Sequence, residues 1–94
     1  MAVRFTQEAV HDLNEIWDFV AQEDMVAASR LIDALEKRCR ELAESPLMGR
    51  VRPELAPNVR SFFVDPFILF YQIVSGDIEI LRIYHMSRDP DSAL

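Results

Sequence analysis

The stretch Phe67-Ile68-Leu69-Phe70-Tyr71-Gln72-Ile73-Val74 carries apolar side chains on both of its alternating faces. Successive residues of a β-strand point to opposite sides, so Phe67, Leu69, Tyr71 and Ile73 share one face. Ile68, Phe70 and Val74 share the other. A strand that is apolar on both sides belongs in the middle of a sheet, covered above and below. Asp65-Pro66 precedes it and Ser75-Gly76-Asp77 follows it, and both are turn signals. The runs Val59 to Val64 and Ile78 to His85 flank those turns, which predicts a three-stranded antiparallel meander.

Working toward the N-terminus, the period changes from two to between three and four. Val3 to Phe5 reads as a short strand, and Thr6 after it is a good helix N-cap. Phe5 and Val10 have the spacing of a hydrophobic staple. Ala9, Leu13, Ile16, Trp17 and Val20 then form one apolar stripe, with Trp17 expected in the core against the sheet. Glu8, Asp12, Glu15 and Asp18 fall between them and read as a solvated face, with His11 beside them. Asp24 can cap a second helix, whose stripe is Ala28, Leu31, Ile32, Leu35, Cys39 and Leu42. Asp33–Lys37 and Glu36–Arg40 are opposite charges four apart, each pair supporting the helix by about 0.2–0.5 kcal/mol. Ser45-Pro46 ends it, because the residue before proline avoids the α conformation. Two amphipathic helices with a short connection predict an antiparallel helical hairpin. The expected fold is α+β: an N-terminal short strand, the hairpin, then the meander, as a single domain over residues 1–94.

One hairpin can cover only one face of such a sheet. The other face is expected to be met by tail residues, by arginine stems lying flat, or by another protein, since contiguous exposed apolar surface marks interaction sites. Residues 46–58, punctuated by Pro46, Gly49, Pro53, Pro57 and Asn58, read as a long loop, and loops of that length are usually functional.

Composition narrows the function classes. The chain has 94 residues, half of them hydrophobic, and a formal net charge of −6. An acidic chain does not adsorb to phosphate through its overall field, so no direct nucleic-acid binding is expected of it alone. Its single cysteine, Cys39, has no internal disulfide partner and reads as a buried small hydrophobe. No Cys/His spacing suggests a metal, no motif suggests a cofactor, and no apolar run spans a membrane. A cytoplasmic protein is expected.

Three stretches taken together are familiar: Phe5-Thr6 with Ala9, Asp12-Leu13 and Ile16-Trp17; Leu42-Ala43, Pro46 and Gly49-Arg50-Val51-Arg52-Pro53-Glu54-Leu55; and Val59-Arg60-Ser61-Phe62 with Ile78-Glu79-Ile80-Leu81-Arg82-Ile83-Tyr84-His85 and Arg88-Asp89. In this order the chain resembles the ParE-like branch of the ParE/RelE toxin superfamily. The resemblance implies a toxin that poisons DNA gyrase, in the setting of plasmid stabilisation. It also implies an antitoxin, typically of ribbon-helix-helix type, whose C-terminal segment folds onto the toxin. RelE-like relatives instead cleave mRNA on the ribosome. The chain departs from the family at Met86-Ser87, where a glycine often follows the final histidine.

The candidate residues follow from these two chemistries. Metal-free RNA cleavage needs a base, an acid and cations around the phosphate, and Glu54, Arg60, Arg82, Tyr84 and His85 could supply them. Arg82 and Tyr84 alternate onto one strand face, whereas His85 points to the other. For partner binding the candidates are Arg50, Arg52, Arg60, Phe70, Arg82 and Arg88, since arginine and aromatic residues are enriched at interface hot spots. Arg50, Arg52 and Arg60 have an equal alternative: pairing with Glu54, Asp65 or helix carboxylates, or laying their stems over the sheet. A third reading is an inactive relative that retains only antitoxin binding.

Overall fold

The computed structural model describes residues 2–87. Its elements run β1 (Val3–Phe5), α1 (Gln7–Ala21), α2 (Met25–Glu44), β2 (Arg50–Val51), β3 (Arg60–Val64), β4 (Phe67–Val74) and β5 (Asp77–His85). The meander β3-β4-β5 is extended on both sides into a five-stranded sheet of order β1-β5-β4-β3-β2. β1 lies parallel to β5, with Val3 opposite Ile78 and Phe5 opposite Ile80. β2 is antiparallel to β3, a two-residue strand within the stretch expected to be loop.

Local chemistry sets the element ends. The Thr6 hydroxyl accepts from the Ala9 amide at 3.1 Å and donates to the Leu81 carbonyl at 2.8 Å, so one side chain both caps α1 and ties it to β5. Asp24 accepts from the amides of Val26 and Ala27, each at 3.0 Å, and opens α2. Ser75 and Gly76 both have positive φ, 52° and 79°, the geometry of a tight hairpin turn that glycine adopts freely.

The helical hairpin packs on one face of the sheet. Ala9 from α1 and Leu35, Cys39, Leu42 and Ala43 from α2 meet Phe67, Leu69 and Tyr71 of β4. Ile78, Ile80 and Ile83 of β5 complete this core. The spacing of those isoleucines breaks strict alternation, and the register explains it. Phe70 pairs with Arg82 while Tyr71 pairs with Ile80, so Leu81 is an extra residue, a β-bulge.

Several expectations are corrected here. Asp12 is buried rather than solvated. Trp17 is only partly buried, lining a shallow hollow with Val10, Leu13 and Ile32 of the hairpin. On α2 the ion pair is Arg38–Glu41 rather than the two four-residue pairs expected. The far face of β4 is also not left open at its centre. Leu55 and Ala56, from the proline-rich stretch, fold back with Val59 and Tyr84 around Phe70, which is 0% exposed. No helix among the described residues is long and apolar enough to cross a membrane.

Candidate functional site

On the sheet face away from the helices, side chains link the loop after β2 to three strands, β3, β4 and β5. The Arg52 guanidinium donates to Glu54 at 2.7 Å and to the Ser61 hydroxyl at 3.2 Å, and lies over the Phe70 ring. Phe70 meets Tyr84 edge to face. The Arg82 guanidinium sits 4.5 Å from the centre of the Tyr84 ring. Arg82 then reaches back to α1, donating to both carboxylate oxygens of Asp12 at 2.9 and 3.0 Å. The Ile83 amide donates to the same carboxylate at 2.9 Å. A planar guanidinium set against a carboxylate makes two parallel charge-assisted hydrogen bonds, each stronger than a neutral one. Its hydrogen bonds to Asp12 raise the pKa of Arg82 above its ordinary value. The Arg52 hydrogen bond holds the Glu54 carboxyl below the usual range.

The five residues that could form a nuclease site are not assembled. Arg60 lies opposite Tyr71 on the helix-facing side, where it donates to the carbonyls of Gly49 at 2.9 Å and Leu47 at 3.4 Å. His85 also turns to that side, edge-on to Phe67, with Nδ1 2.9 Å from the Ser87 hydroxyl. Glu54, Arg82 and Tyr84 belong to the other face. Tyr84 and His85 approach one another only where the end of β5 borders a groove. A scissile phosphate would need its acid, base and cations on one side. Among the described residues there is also no group of three His, Cys, Asp or Glu that could hold a metal.

The partner-binding candidates divide likewise. Arg50 is exposed on the edge strand β2. Arg52 realises both halves of its structural alternative, pairing with Glu54 and covering the sheet. Phe70 is sealed inside and offers no surface to a partner. Arg88 lies outside the described residues.

Two features carry more than the sequence suggested. Tyr71 is fully buried, and its hydroxyl donates to the Pro46 carbonyl at 2.7 Å while accepting from the Gly49 amide at 2.9 Å. Burial raises the pKa of that phenol, keeping it neutral. The loop after α2 is thereby pinned beneath Arg60 and Tyr71, and it displays Leu47 and Met48 outward. A tyrosine in a core strand, level with an isolated Gly after a proline, was the only available signal.

The second feature is an apolar groove of about 550 Å³ toward the end of the hairpin where the two helices connect. Ile16, Phe19 and Val20 of α1 and Leu31 of α2 form its walls, and Phe67 and Ile83 lie on the sheet side. Phe19 is 76% exposed. It lies off the stripe chosen by periodicity, and a large aromatic on a polar helix face was the overlooked sign.

The comparisons agree with this architecture. The family described as the ParE toxin of the type II toxin–antitoxin system parDE matches residues 3–90. Toxin RelE2 of Caulobacter vibrioides is 31% identical over 86 residues, covering 92% of this chain and 96% of that protein. The chromosomal ParDE system from P. aeruginosa superposes with a TM-score of 0.76 at 26% identity, covering 90% of this chain and 95% of that one. The toxin–antitoxin complex RelBE2 from Mycobacterium tuberculosis gives 0.69 at 28% identity, covering 89% and 95%. With strand, helical hairpin and antiparallel strands in that order, the chain belongs to the ParE family of toxins from type II toxin–antitoxin systems.

Proposed function

We propose that this toxin acts by protein contact, inhibiting DNA gyrase, and that a cognate antitoxin neutralises it by folding a segment onto its surface. The observation that carries this reading is the division of the acid, base and cationic residues between the two faces of the sheet. Arg60 is occupied by loop carbonyls, Glu54 by Arg52 and Arg82 by Asp12. Large apolar side chains, Phe19, Leu47, Met48 and Phe63, stand at the surface, the chemistry that a protein contact uses where such groups form a patch. The structurally similar ParDE proteins form a toxin–antitoxin system and RelBE2 a toxin–antitoxin complex, which supports an antitoxin partner. A ribbon-helix-helix antitoxin with a segment disordered until bound fits that pattern.

Purified toxin added to a supercoiling reaction should inhibit gyrase, and added antitoxin should restore it. The same preparation should leave mRNA on stalled ribosomes intact. Ribosomal cleavage that is lost in Tyr84→Phe, together with normal supercoiling, would overturn the reading in favour of the nuclease.

A further inference from the structure

The turn that leaves α2 combines greasy side chains with a fixed backbone. Leu47 is 68% exposed and Met48 50%. Val51, opposite Arg60 in the β2–β3 pair, is also 50% exposed. Beneath them the backbone is held from several sides. The buried Tyr71 hydroxyl takes the Gly49 amide and the Pro46 carbonyl. Arg60 donates to the carbonyls of Gly49 and Leu47, and the Met48 amide donates to the Ser45 carbonyl at 3.0 Å. Apolar side chains on a backbone already fixed lose little freedom on association, so they serve well as pre-organised anchors.

The charge around this turn is opposite in sign to that of the whole chain. The net charge is −6, yet residues 46–60 hold three arginines against one carboxylate, Glu54. Arg52 is engaged by Glu54. Arg50 is exposed, and Arg60 meets carbonyl oxygens, which leave its charge uncancelled. Neither forms an ion pair among the described residues. The carboxylates at the end of α2 do not intervene. Glu41 is paired with Arg38, and Glu44 lies with Val3 and Phe5 toward β1, at the opposite edge of the sheet from β2. Three aliphatic side chains and two guanidinium groups therefore share one edge of the molecule. None of them lines the groove between the helices.

Exposed arginine beside aliphatic anchors fits a protein surface with an apolar socket and carboxylates around it. Nucleic acid fits less well. Bases stack on aromatic rings, of which this turn has none, and the remaining charge of the chain opposes phosphate.

We infer that Leu47, Met48 and Val51, flanked by Arg50 and Arg60, form the surface with which the toxin engages its protein target, and that the matching surface is an apolar socket rimmed by carboxylates. This deepens, and rests on, the reading of the chain as an inhibitor that acts by protein contact.

Two readouts test it. Growth arrest on induced expression in a bacterial host reports toxicity whatever the target, and supercoiling by purified gyrase holoenzyme reports that one target. Arg50→Glu, and Leu47→Ser with Met48→Ser, change exposed positions, and circular dichroism with thermal melting verifies that both variants fold. Each should relieve growth arrest and raise the half-inhibitory toxin concentration by at least about tenfold. Arg50→Lys, which keeps the charge, should lose less than Arg50→Glu. Arg30→Glu, the same charge change on an exposed part of α2, should behave as wild type. Full activity of either loop variant would overturn the inference, as would equal losses in Arg50→Glu and Arg50→Lys or in Arg50→Glu and Arg30→Glu. A homodimer broken by the serine substitutions, or a gel shift of DNA or RNA lost in Arg50→Glu, would give the surface to another occupant and overturn it too. Should wild type arrest growth without inhibiting supercoiling, the gyrase reading fails and growth arrest alone decides the inference. A wild-type chain that does neither overturns both.

Discussion

Asp12 of α1 and Arg82 of β5 face each other through two parallel hydrogen bonds, and the Ile83 amide adds a third to the same carboxylate. The Asp12 side chain is 6% exposed and that of Arg82 is 26% exposed. Removing one partner of such a pair strands the other. Asp12→Ala is expected to destabilise the fold by about 2–4 kcal/mol, somewhat below a fully buried pair because Arg82 can still reach water. Urea midpoints for Asp12→Ala, Arg82→Ala and the double variant should give a coupling above about 1 kcal/mol. Additive losses would mean the contact is incidental.

Gly49 is expected to tolerate no side chain. A Cβ there would overlap the hydroxyl and ring of Tyr71. Gly49→Ala should cost about 1–3 kcal/mol by overpacking. Tyr71→Phe should cost about 1–3 kcal/mol by leaving the Gly49 amide and Pro46 carbonyl unsatisfied. In the double variant the losses should fall short of their sum, since the nearest clashing atom has gone. Thermal melts of the three proteins check this.

Phe70 acts through the interior rather than through a partner. Phe70→Ala is expected to cost about 3–5 kcal/mol, because Leu55, Ala56 and Val59 are left around a cavity. At a temperature where the variant is still folded, its affinity for antitoxin should be close to normal. A large loss of affinity in the folded variant would return Phe70 to the interface.

Cys39 gives the pH dependence. Burial pushes its thiol from an ordinary 9.0 up to about 12, with Glu36 adding to the shift. The folded chain therefore keeps the proton after the unfolded chain has lost it. Stability from this group is intact below pH 9 and declines above it, by about 1.4 kcal/mol per unit until the folded value is reached. The stability gap between wild type and Cys39→Ala should shrink as pH climbs from about 8 to 10, and thiol reagents should modify the folded chain slowly at pH 8.

What the sequence made legible was local and periodic. Thr6 and Asp24 announced the helix starts, Ser45-Pro46 an end, and the two-faced run 67–74 the central strand. Asp12 was misread because a helical wheel puts it among solvated acids, while its partner lies 70 residues away and is presented by a bulge. A bulge has no periodicity of its own; the isoleucine spacing 78, 80, 83 was its trace. β2 has two residues, too few to show alternation. The cover over Phe70 was carried by Leu55-Ala56, an apolar pair easily overlooked among prolines. Of the candidate site, the side-chain types were readable, but their division between two faces required the register.

The parallel pairing of β1 with β5 also gives this toxin a clock. Residues 3–5 find their strand partner only in residues 78–80, so the earliest-made part of the sheet waits for almost the latest. At ordinary synthesis speeds of roughly 5–20 residues per second, that delay lasts several seconds. A chain stopped before β5 would leave β1 without a strand partner and one edge of β4 unpaired.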